Sequence, residues 1–202
     1  MSRIRFVLWI AVAVALFALG ALSVGGFSFL GKERAAGGLK PGAPLGGAFQ
    51  LVDATGAPVS EAIFREKPSV TLFGFTHCPD VCPTGLSEMG KWAEELGPDA
   101  DKLRFVFVTV DPERDTPEAM RDYVSAFSDR IVGISGPPEA VHAMVKDYKI
   151  YSRKVPIDGG DYSMDHTASM ILQDAAGNFA GTITTGEPHE TGLAKLKRLV
   201  AG

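Results

Sequence analysis

Cys78 and Cys82 are the only cysteines in 202 residues, and three residues separate them. Two sulfurs this close can converge on one soft metal ion or join and part as a reversible disulfide. As a structural staple the bond would close too short a loop to restrict the unfolded chain much. The pair stands in Phe73-Gly-Phe-Thr-His-Cys-Pro-Asp-Val-Cys-Pro-Thr84, where an apolar run gives way to a helical pattern. The end of a strand at the start of a helix is where open α/β sheets place their chemistry. The helix N-terminus carries partial positive charge, which favours thiolate. Because Pro83 disfavours helical backbone at the residue before it, Cys78 to Cys82 is expected to be a tight loop capping the helix.

Of the four histidines, His166 is the candidate partner of the cysteines. It lies in Ser163-Met-Asp-His-Thr167, where a loop is expected to enter a hairpin strand facing the cysteine loop. His77 abuts Cys78 and can tune it, but neighbouring residues seldom reach one metal from a strand end. His142 falls inside an expected helix, and His189 precedes the last one; a solvated or capping role accounts for both. Two thiolates and one imidazole make a soft, three-coordinate set suited to copper, above all Cu(I). A catalytic zinc of Cys₂His type with water is the metal alternative. Met164 and Met170 are soft as well, but methionines in a hairpin more often pack than ligate.

The elements that must hold these residues follow from hydrophobic periodicity. Ser69–Phe75 and Leu103–Val110 read as buried strands. Pro83–Leu96 reads as a helix stopped by Gly97-Pro98. Thr116 reads as the N-cap of a helix running to about Phe127, with Pro117 at its first position. Phe49–Asp53 and Ile131–Ile134 read as strands, and Pro138–Tyr148 as a third helix. Thr167–Leu172 and Phe179–Ile183 flank Asp174-Ala-Ala-Gly177 as a hairpin, and a helix from about Glu190 to Leu199 closes the chain. Strand–helix alternation predicts an α/β fold, a partly parallel sheet with flanking helices. The order is thioredoxin-like, with an extra N-terminal strand and an inserted strand–helix.

Phe6–Gly31 carries no charged side chain, long enough for a single transmembrane helix. Arg3 and Arg5 precede it, which places the N-terminus in the cytoplasm and the main domain outside. A cleaved signal peptide is the competing reading, against which the length of the apolar run argues. The expected organisation is an anchor at 1–31, a Gly/Ala/Pro-rich linker at 32–47 and one domain at 48–202. Either reading sends the cysteines to an oxidising compartment. The hydrophobic share of 46% and charged share of 22% exclude a disordered chain. A net charge of −4 without a long basic run argues against nucleic acid as a partner.

With these residues assembled, the chain resembles the Sco/SenC family of copper chaperones. Phe75-Thr-His-Cys-Pro-Asp-Val-Cys-Pro83, Thr109-Val-Asp-Pro-Glu-Arg-Asp-Thr-Pro117 and Tyr162-Ser-Met-Asp-His-Thr167 carry the resemblance, in that order. It implies a thioredoxin-like domain on an inner-membrane anchor, facing the periplasm. It implies copper held by Cys78, Cys82 and His166 and a role in assembling the binuclear copper centre of cytochrome c oxidase. An oxidase subunit would receive the copper, and a copper-donating protein and a thiol reductant would serve the site. Such a chaperone is not an enzyme in the turnover sense. The alternative is a thiol–disulfide oxidoreductase that keeps the oxidase cysteines reduced through Cys78 and Cys82. A peroxiredoxin-like peroxidase fits less well, since it asks for one activated cysteine and a distant resolver. Asp80 and Asp111 match motif positions; for Asp111, at a strand end beside the cysteine loop, a supporting role behind the ligands is expected.

Overall fold

Two continuous apolar runs become the centre of a seven-stranded sheet. The computed structural model describes residues 39–202. Strands β3 (Ser69–Gly74) and β4 (Arg104–Thr109) lie parallel, in register from Ser69↔Arg104 to Gly74↔Thr109. Every residue of β3 is buried, as a strand covered on both faces requires. Strand β5 (Ile131–Ser135) continues the parallel set beside β4. Strands β1 (Gln50–Asp53) and β2 (Pro58–Ser60) extend that flank antiparallel. On the other flank β8 (Met170–Gln173) and β9 (Phe179–Ile183) form the expected antiparallel hairpin. The spatial order is β2-β1-β5-β4-β3-β8-β9.

Helices cover both faces. α1 (Val81–Leu96) packs near Leu72 at Gly85, and α4 (His189–Ala201) presses Gly192 against the Trp92 ring of α1. The next residue of β3, Phe73, points to the opposite face and meets Tyr148, which ends α3 (Pro138–Asp147), at a centroid distance of 5.3 Å. α2 (Pro117–Ser125) starts where its cap residue dictates: Thr116 Oγ1 accepts from the Ala119 amide at 3.2 Å, and Pro117 takes the first turn.

Two departures from the sequence reading bear on the site. Val81, not Pro83, opens α1, so Cys82 lies inside the first helical turn. A proline there loses no helical hydrogen bond, because first-turn amides have no partner within the helix. The steric bias against helical backbone at Cys82 is overridden. The segment before β8 is also not a plain loop. Strands β6 (Ser152–Pro156) and β7 (Tyr162–His166) pair antiparallel from Ser152↔His166 to Pro156↔Tyr162 as a separate two-stranded sheet. Ser-Arg-Lys-Val-Pro is too polar and exposed to announce a strand. The turn is made by Gly159 and Gly160 at φ +88° and +82°, which side chains disfavour.

Among the described residues no helix is long and apolar enough to cross a membrane. The expected anchor at 1–31 and nearly all of the 32–47 linker's first half lie outside those residues. Residues Lys40–Gly202 form one unit by themselves.

Candidate metal centre

The β3 strand ends at Gly74, and the chain turns through Phe75–Pro79 before α1 begins. The turn is held by the Cys78 amide, which donates to the Phe75 carbonyl at 3.2 Å. Asp80, the N-cap of α1, makes no side-chain capping bond. Its place is taken by sulfur: the Cys82 amide donates to Cys78 Sγ at 3.4 Å. Cys78 therefore sits at the positive end of the helix, where thiolate is favoured. Cys82 is completely buried and Cys78 is 8% exposed, so Cys78 is the sulfur nearer solvent. Neither is in a disulfide.

β7 brings the third group. His166, its last residue, points Nε2 at Cys82 Sγ, 3.6 Å away. Its Nδ1 lies 3.0 Å from the Thr167 carbonyl and donates to it, which leaves Nε2 as the nitrogen turned to the sulfurs. Phe75 meets the imidazole edge-on at 5.7 Å and 88°. The ligand atoms of Cys78, Cys82 and His166 all lie within 4.8 Å of one another. No other group of three His, Cys, Asp or Glu among the described residues converges in this way.

The electrostatics of the cluster divide one proton between two sulfurs. A hydrogen bond from the Cys82 thiol, opposed by burial and helped by His166 and backbone amides, holds the Cys78 pKa down to about 4. The same bond, with deeper burial, drives Cys82 up. Burial works against charge on His166, but the Cys78 sulfur and the Thr167 carbonyl outweigh it and raise its pKa. Two sulfurs and an imidazole whose Nε2 faces them form a soft set able to hold a metal ion or to exchange disulfides.

The other histidines and Asp111 are not part of the cluster. The His77 side chain is 54% exposed and shares its Nδ1 with Thr76 Oγ1 at 3.0 Å. His142 is exposed on α3. His189, the first residue of α4, is held between Glu88 at 2.6 Å and Glu95 at 2.8 Å of α1. Met164 and Met170 are buried. Asp111 is 1% exposed and takes the Tyr162 hydroxyl at 2.8 Å and Arg114 Nε at 2.5 Å.

Gly74 and Asp115, beside the cysteines, are among the residues that escaped the sequence reading. A Cβ on Gly74 would meet Cys82 Sγ at 2.5 Å and the Phe107 ring at 2.8 Å, so only glycine leaves room for the sulfur. The clue was a glycine inside an otherwise apolar run. Asp115 is fully buried and joins three segments: it accepts from Thr109 Oγ1 at 2.6 Å, from Thr76 Oγ1 at 2.6 Å and from the Thr76 amide at 3.1 Å. Burial lifts its pKa even so.

The SCO1/SenC family model matches residues 38–201. Protein SCO2, mitochondrial, of Saccharomyces cerevisiae is 36% identical over 160 residues, covering 77% of this chain and 53% of that protein. The Homo sapiens Protein SCO1 homolog, mitochondrial, is 37% identical over 183 residues, covering 85% of this chain and 60% of that protein. The chain thus spans little more than half the length of these curated relatives. Among solved structures, Bradyrhizobium japonicum ScoI with copper bound superposes with a TM-score of 0.72 at 43% identity, covering 77% of this chain and 99% of that one. Yeast Sco1 with copper bound gives 0.72 at 33% identity, covering 79% and 90%.

Proposed function

The chain belongs to the SCO1/SenC family, and from that premise we propose that it binds one copper ion through Cys78, Cys82 and His166 and delivers it to the binuclear copper centre of cytochrome c oxidase. The observation that carries this reading is the convergence of two sulfurs and one imidazole nitrogen within 4.8 Å. The copper-bound relatives from Bradyrhizobium japonicum and yeast support the choice of metal. Copper is cargo here. Few ligands, one of them near solvent, suit a site that must load and release its ion by ligand exchange. Two thiolates satisfy Cu(I), and the imidazole nitrogen makes the site acceptable to Cu(II) as well.

The same reading assigns residues 1–31 to a single inner-membrane anchor, 32–47 to a linker and 48–202 to a periplasmic copper-binding domain. Its support is the uncharged run Phe6–Gly31 with Arg3 and Arg5 before it. An oxidase subunit receives the copper and a second protein supplies it. A thiol reductant is needed as well, because a Cys78–Cys82 disulfide leaves no thiolate to bind metal.

One observation favours a second reading, a thiol–disulfide reductase. Cys78, the sulfur nearer solvent, accepts the Cys82 amide at the helix start with its pKa held down, an attacking sulfur with its resolving partner beside it. Anaerobic titration of the reduced chain with Cu(I) and Cu(II), beside His166→Ala, separates the two. One copper per chain, with a thiolate-to-Cu(II) absorption band that shifts in the variant, is expected. No stoichiometric copper, with rapid cycling against a dithiol, would leave the reductase.

A further inference from the structure

β6 and β7 share no hydrogen-bond ladder with the main sheet. The strand that carries His166 is therefore not held to the strand that leads to the cysteines by backbone pairing. The chain itself ties β7 to the main sheet through Thr167–Ser169, which lead into β8 beside β3, and a set of side-chain contacts from one short segment, Asp111–Asp115, between β4 and α2, adds a second tie.

From this segment Arg114 reaches the hairpin. Its Nη1 donates to the Tyr162 carbonyl at 3.0 Å and to Asp161 Oδ1 at 3.1 Å, while its Nε pairs with Asp111 Oδ2 at 2.5 Å. The guanidinium stacks 3.8 Å over the Tyr162 ring, and the Tyr162 hydroxyl returns to Asp111 Oδ1 at 2.8 Å. Asp111 is itself fixed by its amide, which donates to Thr109 Oγ1 at 2.8 Å. The other hairpin strand is tied to the same segment by Lys154, paired with Glu113 Oε2 at 2.5 Å and 4.5 Å over the Tyr162 ring. From the far end of the segment, Asp115 holds Thr76, two residues before Cys78. Arg114 also lies 5.9 Å from the Phe75 ring, and that ring abuts His166.

We propose that Asp111–Asp115 is a bracket that sets the distance between His166 and the two cysteines, with Arg114 as its positioning residue. One end grips the cysteine loop through Asp115; the other grips the histidine hairpin through Arg114, Asp111 and Tyr162. A fork of donors plus a flat stacking face is a role that arginine fills and lysine does not. The proposal rests on the copper site described above, since what the bracket positions is one of its three ligands.

The test uses the full-length reduced chain and its Arg114→Gln, Arg114→Lys and Tyr162→Phe variants, with copper itself as probe. In Arg114→Gln, Cu(II) affinity falls by about tenfold or more, the range for loss of groups that orient metal ligands. Its absorption band moves toward that of His166→Ala, and added imidazole moves it back. Cu(I), served by two thiolates, weakens less. Tyr162→Phe keeps the stacking face and shows a smaller change in the same direction, and it stands in should Arg114→Gln not fold. Arg114→Lys recovers only part of the loss. A wild-type copper spectrum and affinity in a folded Arg114→Gln would overturn the bracket. Amide hydrogen exchange across β6 and β7 gives a metal-free readout: faster exchange in the variants supports the bracket, and unchanged exchange rejects it. Should the wild type bind no copper, the copper reading fails while this exchange result still decides the bracket.

Discussion

Position 74 has room for a hydrogen and nothing larger. Gly74→Ala sets a methyl group against Cys82 Sγ and Phe107, neither of which has free space to enter. Overpacking of a filled core costs about 1–3 kcal/mol, so the variant is expected to melt lower and to lose metal affinity as the sulfur is displaced. Thermal unfolding together with a copper titration checks both. A second expectation comes from the proton shared by the sulfurs. The neighbouring sulfur and burial drive the Cys82 pKa up, and the His166 pKa is raised as well, so copper binding should release protons and strengthen as pH rises. Calorimetry in two buffers of different ionisation enthalpy counts the protons released; none released would mean that Cys82 does not ligate. Cys78, Cys82 and His166 stand out in the sequence because residue type and spacing alone restrict what they can do. Gly74, Arg114 and Asp115 do not, because their work is a close approach or a bond to segments far along the chain.

The elements that read correctly are those with strong local signals. The apolar runs of β3 and β4, the Thr116–Pro117 start of α2 and the Gly97 stop of α1 each follow from side chains in their own neighbourhood. The β6–β7 hairpin did not, since β6 is polar and largely exposed and Arg114, far along the chain, supplies contacts to the start of β7. A two-stranded sheet outside the main ladder has little stability of its own. Native-state hydrogen exchange should therefore find the β6–β7 amides opening well before those of β3 and β4; exchange at one common rate would contradict this. The α1–α4 contact offers an expectation in pH. Glu88 first, against desolvation, and Glu95 after it hold His189 above the ordinary imidazole pKa. A group raised on folding stabilises fully below its unfolded pKa of about 6.5 and loses that contribution as pH rises through the folded value. His189→Gln should thus lower the unfolding free energy measured in urea most on the acid side, by about 0.5–1 kcal/mol for a partly exposed cluster, and little in alkali. A loss that grows with pH would show that the imidazolium is not what joins the helices.

At the scale of the whole molecule, the sheet brings a helix start and a tethered hairpin to the same end of the parallel strands, where open α/β sheets place their sites. The fold class was legible because strand–helix alternation leaves few ways to cover a parallel sheet. The site was legible only as a set of residues; its geometry needed the hairpin that sequence periodicity does not announce. The account makes the domain a copper carrier whose hold on the ion depends on three side chains from two separately anchored pieces. The most direct measurement is X-ray absorption at the copper edge of the loaded chain, with His166→Ala beside it. The account predicts two sulfur scatterers and one imidazole nitrogen from the chain, with the imidazole signal lost in the variant. Copper surrounded only by nitrogen and oxygen, or an imidazole signal unchanged in His166→Ala, would contradict it.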